Sequence, residues 1–415
     1  MDIAHSQQDQ HDHGDKPLDI AILVHDLRPS GVVANAIRIA EASRRAGLAA
    51  ELWTMNDGGP RACLRPETVR TRVLLPVSAH LPRALGSLAG VPSLAARLRH
   101  QRPRILLSAG NHIHAQSLLA HRLAGLRETL LVGRVSNALA AAAPCKRPGP
   151  GGRLARTMAI GLERLQFRAM DRIIAVSDEI AAQLATHGGV DPGAITVIPN
   201  GVDLDAIGRA VRERLDHPWF AAGAPPVIVA AGRLCRQKNF EQLIAAFGRV
   251  RTGIEARLVI LGDGAPGERE RLLAAAREAR VADDLWLAGH QENPFRFFAR
   301  ARLFAQTSRW EGCSNVLIEA LACGLPAVVT DHPGGMRTLL DGVPAARVVP
   351  VGDVQATADA LRQMLDRPAA PELSRAAVAG QSLAACLARY QATIRSALAQ
   401  RPGAEPTSSA LPALP

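Results

Sequence analysis

Between Arg309 and Gly324 the chain sets two glutamates, Glu311 and Glu319, around a Gly312-Cys313-Ser314-Asn315 turn that runs into an apolar stretch. The preceding Ala301–Gln306 reads as a strand. Val316–Cys323 reads as a short helix closed by Gly324, with Pro326 just beyond. Ser314 or Asn315 is then the expected N-cap, aiming backbone N–H groups at whatever sits above the turn. Such a helix start favours a phosphate. Two carboxylates do not share that phosphate, because like charges repel. They face something neutral and rich in hydroxyls, and a sugar on each side of a diphosphate meets that need.

A second chemical cluster follows the strand Val227–Ala231. There Gly232-Arg233-Leu234-Cys235-Arg236-Gln237-Lys238-Asn239 opens the helix Phe240–Val250. Two cations at a strand-to-helix turn suit a diphosphate, Arg as a planar fork and Lys as a mobile point charge. The chain uses lysine only at Lys16, Lys146 and Lys238, so its placement here points to a specific need. A solvated basic loop is the plainer reading of the two arginines. Near the N-terminus, His25 to Gly31 joins the first strand to the first helix, and Gly31 would let backbone approach a ligand closely. A structural turn explains it equally well.

Gly110-Asn111-His112-Ile113-His114 follows another strand. His112 and His114, two residues apart, could serve an acceptor hydroxyl or a donor sugar, against the alternative of one exposed and one packed histidine. Arg134-Val135-Ser136-Asn137 ends the next strand and is expected to point into the same cleft. Asp203-Leu204-Asp205 has a metal-binding pattern, but a cap on the following turn suffices, and no metal is expected. Gly262-Asp263-Gly264 reads as a turn into a helix. Neither a dinucleotide G-x-G-x-x-G nor a Walker A loop occurs.

The elements that must position these groups alternate strand and helix. Strands are predicted at Leu18–Val24, Ala49–Thr54, Arg70–Leu75, Arg104–Ser108, Thr129–Gly133, Arg172–Val176 and Ile195–Pro199. After an Ala/Gly/Pro break at 221–226 they resume at Val227–Ala231, Arg257–Leu261, Leu285–Ala288, Arg302–Gln306 and Ala327–Thr330. Continuous apolar strands between helices imply parallel sheets covered on both faces. Two such sets give an α/β chain of two doubly wound Rossmann-like domains facing each other across a cleft, with ligands at the carboxyl ends of the strands. The boundaries expected are a disordered tail at 1–16, an N-terminal domain at 17–205 and a C-terminal domain at 206–375. A helix at 376–399 packs back on the first domain, and a second tail follows at 400–415.

Composition limits the function classes. The chain has 415 residues, enough for about two or three domains, and 47% apolar content ordinary for a globular protein. The N-terminus is polar and no window approaches the roughly 18 apolar residues of a membrane span, so a cytoplasmic address is expected. Six scattered cysteines without a C-x-x-C pair indicate neither zinc nor a disulfide framework. A net charge of +11, almost all arginine, could draw nucleic acid, an anionic membrane or an acidic ligand. Aromatics are only 3%, too few for base-stacking platforms, and nucleic acid is not expected as a partner. Residues 146–172 set Lys146, Arg147, Arg153, Arg156, Arg164, Arg168 and Arg172 against Glu163 and Asp171, and interleave them with Leu154, Met158, Leu162, Leu165 and Met170. That pattern would meet a membrane surface or a lipid-diphosphate; a solvated face on an Arg-rich protein is the preferred reading.

On four stretches the chain resembles the retaining family-4 glycosyltransferases (glycosyl transferases group 1) with the GT-B fold. These are Gly232-Arg233-Leu234 with Lys238-Asn239, Val197–Asp203, Glu311–Glu319 and Leu321–Asp331, and the close at Asp341-Gly342 with Val349–Asp353 is similar too. The resemblance implies that Arg233 and Lys238 hold a donor diphosphate, and that Glu311 binds hydroxyls of the transferred sugar. Glu319, in the first helical turn, would take the nucleotide ribose. Backbone amides of Asn315, Val316 and Leu317 would meet the phosphate, with Gly31 approaching from the other domain. It implies no cofactor beyond a nucleotide-diphosphate sugar, UDP-linked, as donor, and a glycan or lipid-linked acceptor in envelope polysaccharide or glycolipid synthesis. Departures stand beside it. The family's Glu-Gly-Phe-Pro turn is Glu311-Gly312-Cys313-Ser314 here, and its glycine pair is Ser30-Gly31. Its usual histidine is replaced at Arg134-Val135-Ser136, which leaves His112 as the substitute. A GT-B epimerase would want further N-domain carboxylates, a phosphorylase a longer chain. A catalytically silent nucleotide binder is disfavoured by the intact Arg233, Lys238, Glu311 and Glu319.

Overall fold

The computed structural model describes residues 18–28, 30–56, 66, 68–75, 89–140, 150–334 and 336–399. Both expected tails, together with Lys146 and Arg147, lie outside the described residues. The chain divides into two compact units, one up to Leu131 and one covering Val132–Ala399.

Two parallel sheets carry the fold. The first has seven strands: β1 (Ile20–Val24), β2 (Ala50–Asn56), β3 (Thr71–Leu75), β4 (Ile105–Ser108), β5 (Leu130–Val135), β6 (Arg172–Ala175) and β7 (Ile195–Val197), in the order β3-β2-β1-β4-β5-β6-β7. The second has six: β8 (Val227–Ala231), β9 (Arg257–Leu261), β10 (Leu285–Gly289), β11 (Leu303–Gln306), β12 (Ala327–Asp331) and β13 (Ala346–Pro350), in the order β10-β9-β8-β11-β12-β13. Each order reverses once, at β1/β4 and at β8/β11.

The second sheet shows why continuous apolar strands are needed. Ile228, Ala230, Leu258, Ile260 and Leu303 face one way and pack with Leu243, Phe247 and Leu361. Val227, Val229, Val259, Leu261 and Phe304 face the other way and pack with Phe297, Ile318 and Leu321. The period of two puts alternate residues on opposite faces, and helices on both faces make every position a core position. In the first unit β1 is buried throughout. The helix Gly31–Arg45 that follows it starts at Ser30, whose hydroxyl accepts from Val33 N at 3.3 Å.

Two expectations are corrected. The strand β13 has no counterpart among the predicted strands, because Arg347 and the flanking prolines interrupt its apolar run. The single helix predicted at 376–399 is interrupted: the structure has two helices, Pro371–Ala377 and Leu383–Ala399. The break at 378–382 is held as a strand-like contact: Val202 N donates to Gln381 O at 2.9 Å and Leu383 N to Val202 O at 2.8 Å. Gly201 makes that approach possible, since a Cβ there would stand 2.8 Å from Leu383 Cα.

Candidate functional site

At the β8/β11 reversal the loops after the two strands meet beyond the carboxyl edge of the sheet, the edge at which open parallel sheets bind ligands. Strand β8 delivers 232–239 and β11 delivers 307–314. The first loop turns at once because Gly232 takes φ +145°, and a Cβ there would lie 2.7 Å from Lys238 Cε. The missing side chain lets the lysine fold back over the strand end. Gly262-Asp263-Gly264 is a backing turn for this loop: Leu234 N donates to Asp263 O at 2.8 Å, and a Cβ on Gly262 would stand 2.1 Å from Gly232 O.

The two loops are tied into one piece. Arg309 N donates to Gln237 O at 2.8 Å, and Gln237 Nε2 donates to Trp310 O at 2.8 Å. Buried Asn239 accepts from Arg309 Nη2 at 3.0 Å. These bonds bring Lys238 Nζ to 2.6 Å from Glu311 Oε1, with side chains only 15% and 13% exposed. Ser308 Oγ donates to the same carboxylate oxygen at 2.8 Å. Behind Glu311, its N donates to Pro333 O at 3.2 Å. Gly334 takes φ +132°, and a Cβ there would fall 1.7 Å from Glu311 O. Arg233 is exposed at the same strand end.

Of the two expected N-caps, the structure has Ser314. Ser314 stands at the N-cap position of the helix Asn315–Ala322, but its side chain makes no capping bond. Its hydroxyl donates instead to Gln306 Oε1 at 2.6 Å, and Asn315 Oδ1 is buried without a partner. The first intrahelical bond is Ile318 N to Ser314 O at 3.2 Å. The N–H groups of Asn315, Val316 and Leu317 therefore begin the helix without an intrahelical or side-chain acceptor. Glu319 is half-buried and is the fifth residue of this helix, so it lies in the second turn rather than the first.

Gln306 is itself held by His332, a residue that sequence reasoning missed. Gln306 Nε2 lies 3.2 Å from His332 Nε2, and His332 Nδ1 lies 3.3 Å from Pro333 O. This network puts the imidazole proton on Nδ1. Burial lowers the His332 pKa, against the opposing pull of the Glu311 carboxylate. A lone histidine between Asp331 and Pro333 carries no sequence signal of this role.

The first unit has its own switch point, at β1/β4. Gly31 opens the helix Gly31–Arg45 there and His112 lies exposed in the loop after β4, its ring 5.5 Å from that of His25. A Cβ on Gly110 would meet His112 Cε1 at 3.1 Å and Val32 Cγ1 at 3.3 Å, so the two loops touch. His114 is buried, with Nδ1 2.8 Å from Ser108 Oγ. Arg134, expected to point into a cleft, is instead buried: Nε donates to Tyr390 Oη at 2.8 Å and Nη2 to Asn200 Oδ1 at 2.6 Å. Asp203 caps the next helix through Ala206 N at 2.8 Å. The helix Pro150–Arg168 leaves Leu154, Met158, Leu162 and Leu165 exposed, by 54–67%. No helix among the described residues is long and apolar enough to cross a membrane.

Comparison with known proteins bears on this arrangement. Residues 29–206 match the model for glycosyltransferase family 4, and 225–367 that for glycosyl transferases group 1. A Campylobacter jejuni enzyme, N-acetylgalactosamine-N,N'-diacetylbacillosaminyl-diphospho-undecaprenol 4-alpha-N-acetylgalactosaminyltransferase, is 32% identical over 202 residues, 49% of this chain and 53% of the relative. The lipopolysaccharide core biosynthesis glycosyltransferase LpsE of Rhizobium meliloti is 31% identical over 199 residues, 48% and 55% of the two chains. The chain spans about half the length of the curated relatives it matches. The crystal structure of Anabaena HepE in complex with UDP superposes with a TM-score of 0.72 at 19% identity, covering 92% of this chain and 100% of that one. The two sheets, their order and these matches make the chain a member of the group 1, family 4 glycosyltransferases, with the GT-B fold.

Proposed function

We propose that this chain transfers a sugar, with retention of anomeric configuration, from a UDP-linked donor to a glycan or lipid-linked acceptor in envelope polysaccharide or glycolipid synthesis. The observation that carries the donor half is the Lys238–Glu311 contact at 2.6 Å, set beside a helix start that no side chain caps. UDP as the nucleotide is supported by the HepE complex. An undecaprenol-linked acceptor in one relative and lipopolysaccharide core synthesis in another support the acceptor class.

In this reading 206–375 is the donor domain and 17–205 the acceptor domain, with the helix Leu383–Ala399 returning to the latter. The diphosphate lies against the N–H groups of Asn315, Val316 and Leu317, where aligned peptide dipoles favour negative charge. Arg233 and Lys238 neutralise the charge that grows on the departing diphosphate. An ammonium has three donors, so Lys238 keeps Glu311 while it reaches a phosphate oxygen. Glu311 accepts from sugar hydroxyls and fixes the ring, and Glu319 accepts from the ribose. His112 and Gly31, at the β1/β4 switch point of the first unit, are assigned to the acceptor side. Rate enhancement comes from positioning and from stabilising the leaving group. The apolar, arginine-flanked face of Pro150–Arg168 rests on an anionic membrane that presents the acceptor. A panel of nucleotide sugars, followed by NMR of the product's anomeric proton, tests this reading. Transfer from a UDP-sugar with the anomer retained is expected; an inverted anomer, or transfer from none of the panel, would defeat it.

A further inference from the structure

The Val197–Asp203 stretch takes no part in the donor contacts, yet its Asn200 reaches the turn that carries Glu311. Asn200 is 7% exposed, and its Nδ2 donates to Cys313 O at 3.1 Å. Its Oδ1 accepts from Arg134 Nη2 at 2.6 Å. Arg134 is 1% exposed, its Nε donates to Tyr390 Oη at 2.8 Å, and its Nη1 has no partner. Among the described residues no carboxylate pairs with this guanidinium. A buried arginine without a counter-ion is costly, and a planar fork that orients two neighbours is a use that lysine would not serve. Next to Cys313, Gly312 forms an antiparallel bridge with Asn137, and a Cβ there would stand 2.1 Å from Ser136 O. At Gly312 and Cys313 the Glu311–Ser314 turn is thus held by one backbone bridge and one side-chain amide, beside the Pro333 contact of Glu311 and the Gln306 contact of Ser314.

We infer that Asn200, oriented by Arg134, is a positioning residue for sugar transfer: its amide fixes the Cys313 carbonyl and with it the carboxylate of Glu311. This rests on the donor-site reading above. The two demands on Asn200 are separable, because Asn200→Asp keeps shape and an acceptor for Arg134 while replacing the donor toward Cys313 O with a second oxygen. The carboxylate pairs with the buried guanidinium, so the melting temperature holds or rises. The turn loses its anchor at the Cys313 carbonyl.

The test is hydrogen–deuterium exchange and donor turnover on full-length Asn200→Asp. Exchange across 310–317 is expected to rise about tenfold while Val227–Ala231 is unchanged. Turnover at saturating donor is expected to fall about 100-fold, the scale of a 1 Å misplacement. Arg134→Lys provides a second reading should the first variant fold poorly; it keeps the charge but cannot span both partners, and should lower kcat about tenfold with donor KM within about threefold. Unchanged exchange at 310–317, a uniform rise across the protein, or a loosened turn with wild-type turnover would each overturn the inference. A loosened turn in a protein whose wild type transfers from no donor would support the anchoring and fault the donor-site reading instead.

Discussion

Lys238 and Glu311 are each other's nearest charges in a poorly hydrated corner, so removing one strands the other. Lys238→Met should lower both donor turnover and melting temperature. The double variant with Glu311→Gln should melt above the sum of the two single losses, a coupling that a double-mutant cycle reads directly. His332 makes a pH prediction. Its pKa is lowered by burial, so the unfolded chain binds more protons than the folded one below the ordinary histidine value near 6.5. Its contribution is complete above that value and is lost as pH falls through the lowered folded pKa. The melting temperature should therefore decline from pH 7 to pH 5, less steeply in His332→Asn; equal slopes would rule the histidine out as a cause. The thiols behave oppositely. Burial pushes Cys313 up to about 11 and Cys323 up to about 12. Both should resist alkylation at pH 8 until the protein unfolds, since the thiolate is the reactive form. At this scale the sequence is most legible where charge is scarce. One lysine in the body of a chain rich in arginine pointed to the loop that meets Glu311. Arg134 and His332 were opaque, because their partners, Tyr390 and Gln306, lie far away in the sequence.

The helix Asn315–Ala322 starts without a side-chain cap because Gln306 takes the Ser314 hydroxyl. Gln306→Leu should release that hydroxyl to the first-turn N–H groups, where it competes with a phosphate. UDP affinity should drop about tenfold, the order of one hydrogen bond to a charged group, and adding Ser314→Ala should restore most of it. Titration calorimetry of both variants decides; affinity unchanged in Gln306→Leu would remove the competition from the account. The helix Pro150–Arg168 exposes four large apolar side chains on a face flanked by Arg153, Arg156 and Arg164. Leu154→Glu with Met158→Glu should abolish co-sedimentation with phosphatidylglycerol vesicles and leave the melting temperature within a few degrees. Solvation of that face, the reading preferred from sequence, predicts no sedimentation even of wild type. Strands are legible as apolar runs, and these runs locate 12 of the 13 strands among the described residues. The exception, β13, packs one face outward and carries Arg347, so it reads as a loop. The terminal helix reads as continuous in the sequence because its break is fixed by Val202, a contact that no local pattern encodes.

For the molecule as a whole, the two order reversals explain why chemistry-bearing residues gather where they do. Gly31 and His112 come from strands adjacent at β1/β4, and Lys238 and Glu311 from strands adjacent at β8/β11. Alternation of strand and helix was enough to imply two doubly wound domains, and crossover handedness then leaves few strand orders to choose among. The acceptor is not legible, since no motif in the loops of the first sheet names one. The central claim is that the Lys238–Glu311 corner binds the transferred sugar of a UDP-linked donor. It is tested most directly by one paired measurement on wild type and Glu311→Ala, donor turnover together with the thermal shift produced by UDP. The account predicts that turnover falls at least about 100-fold, as for loss of an interaction made in the transition state, while UDP still raises the melting temperature of both proteins. Turnover that survives in Glu311→Ala, or a wild type with neither turnover nor a shift with UDP, would contradict it.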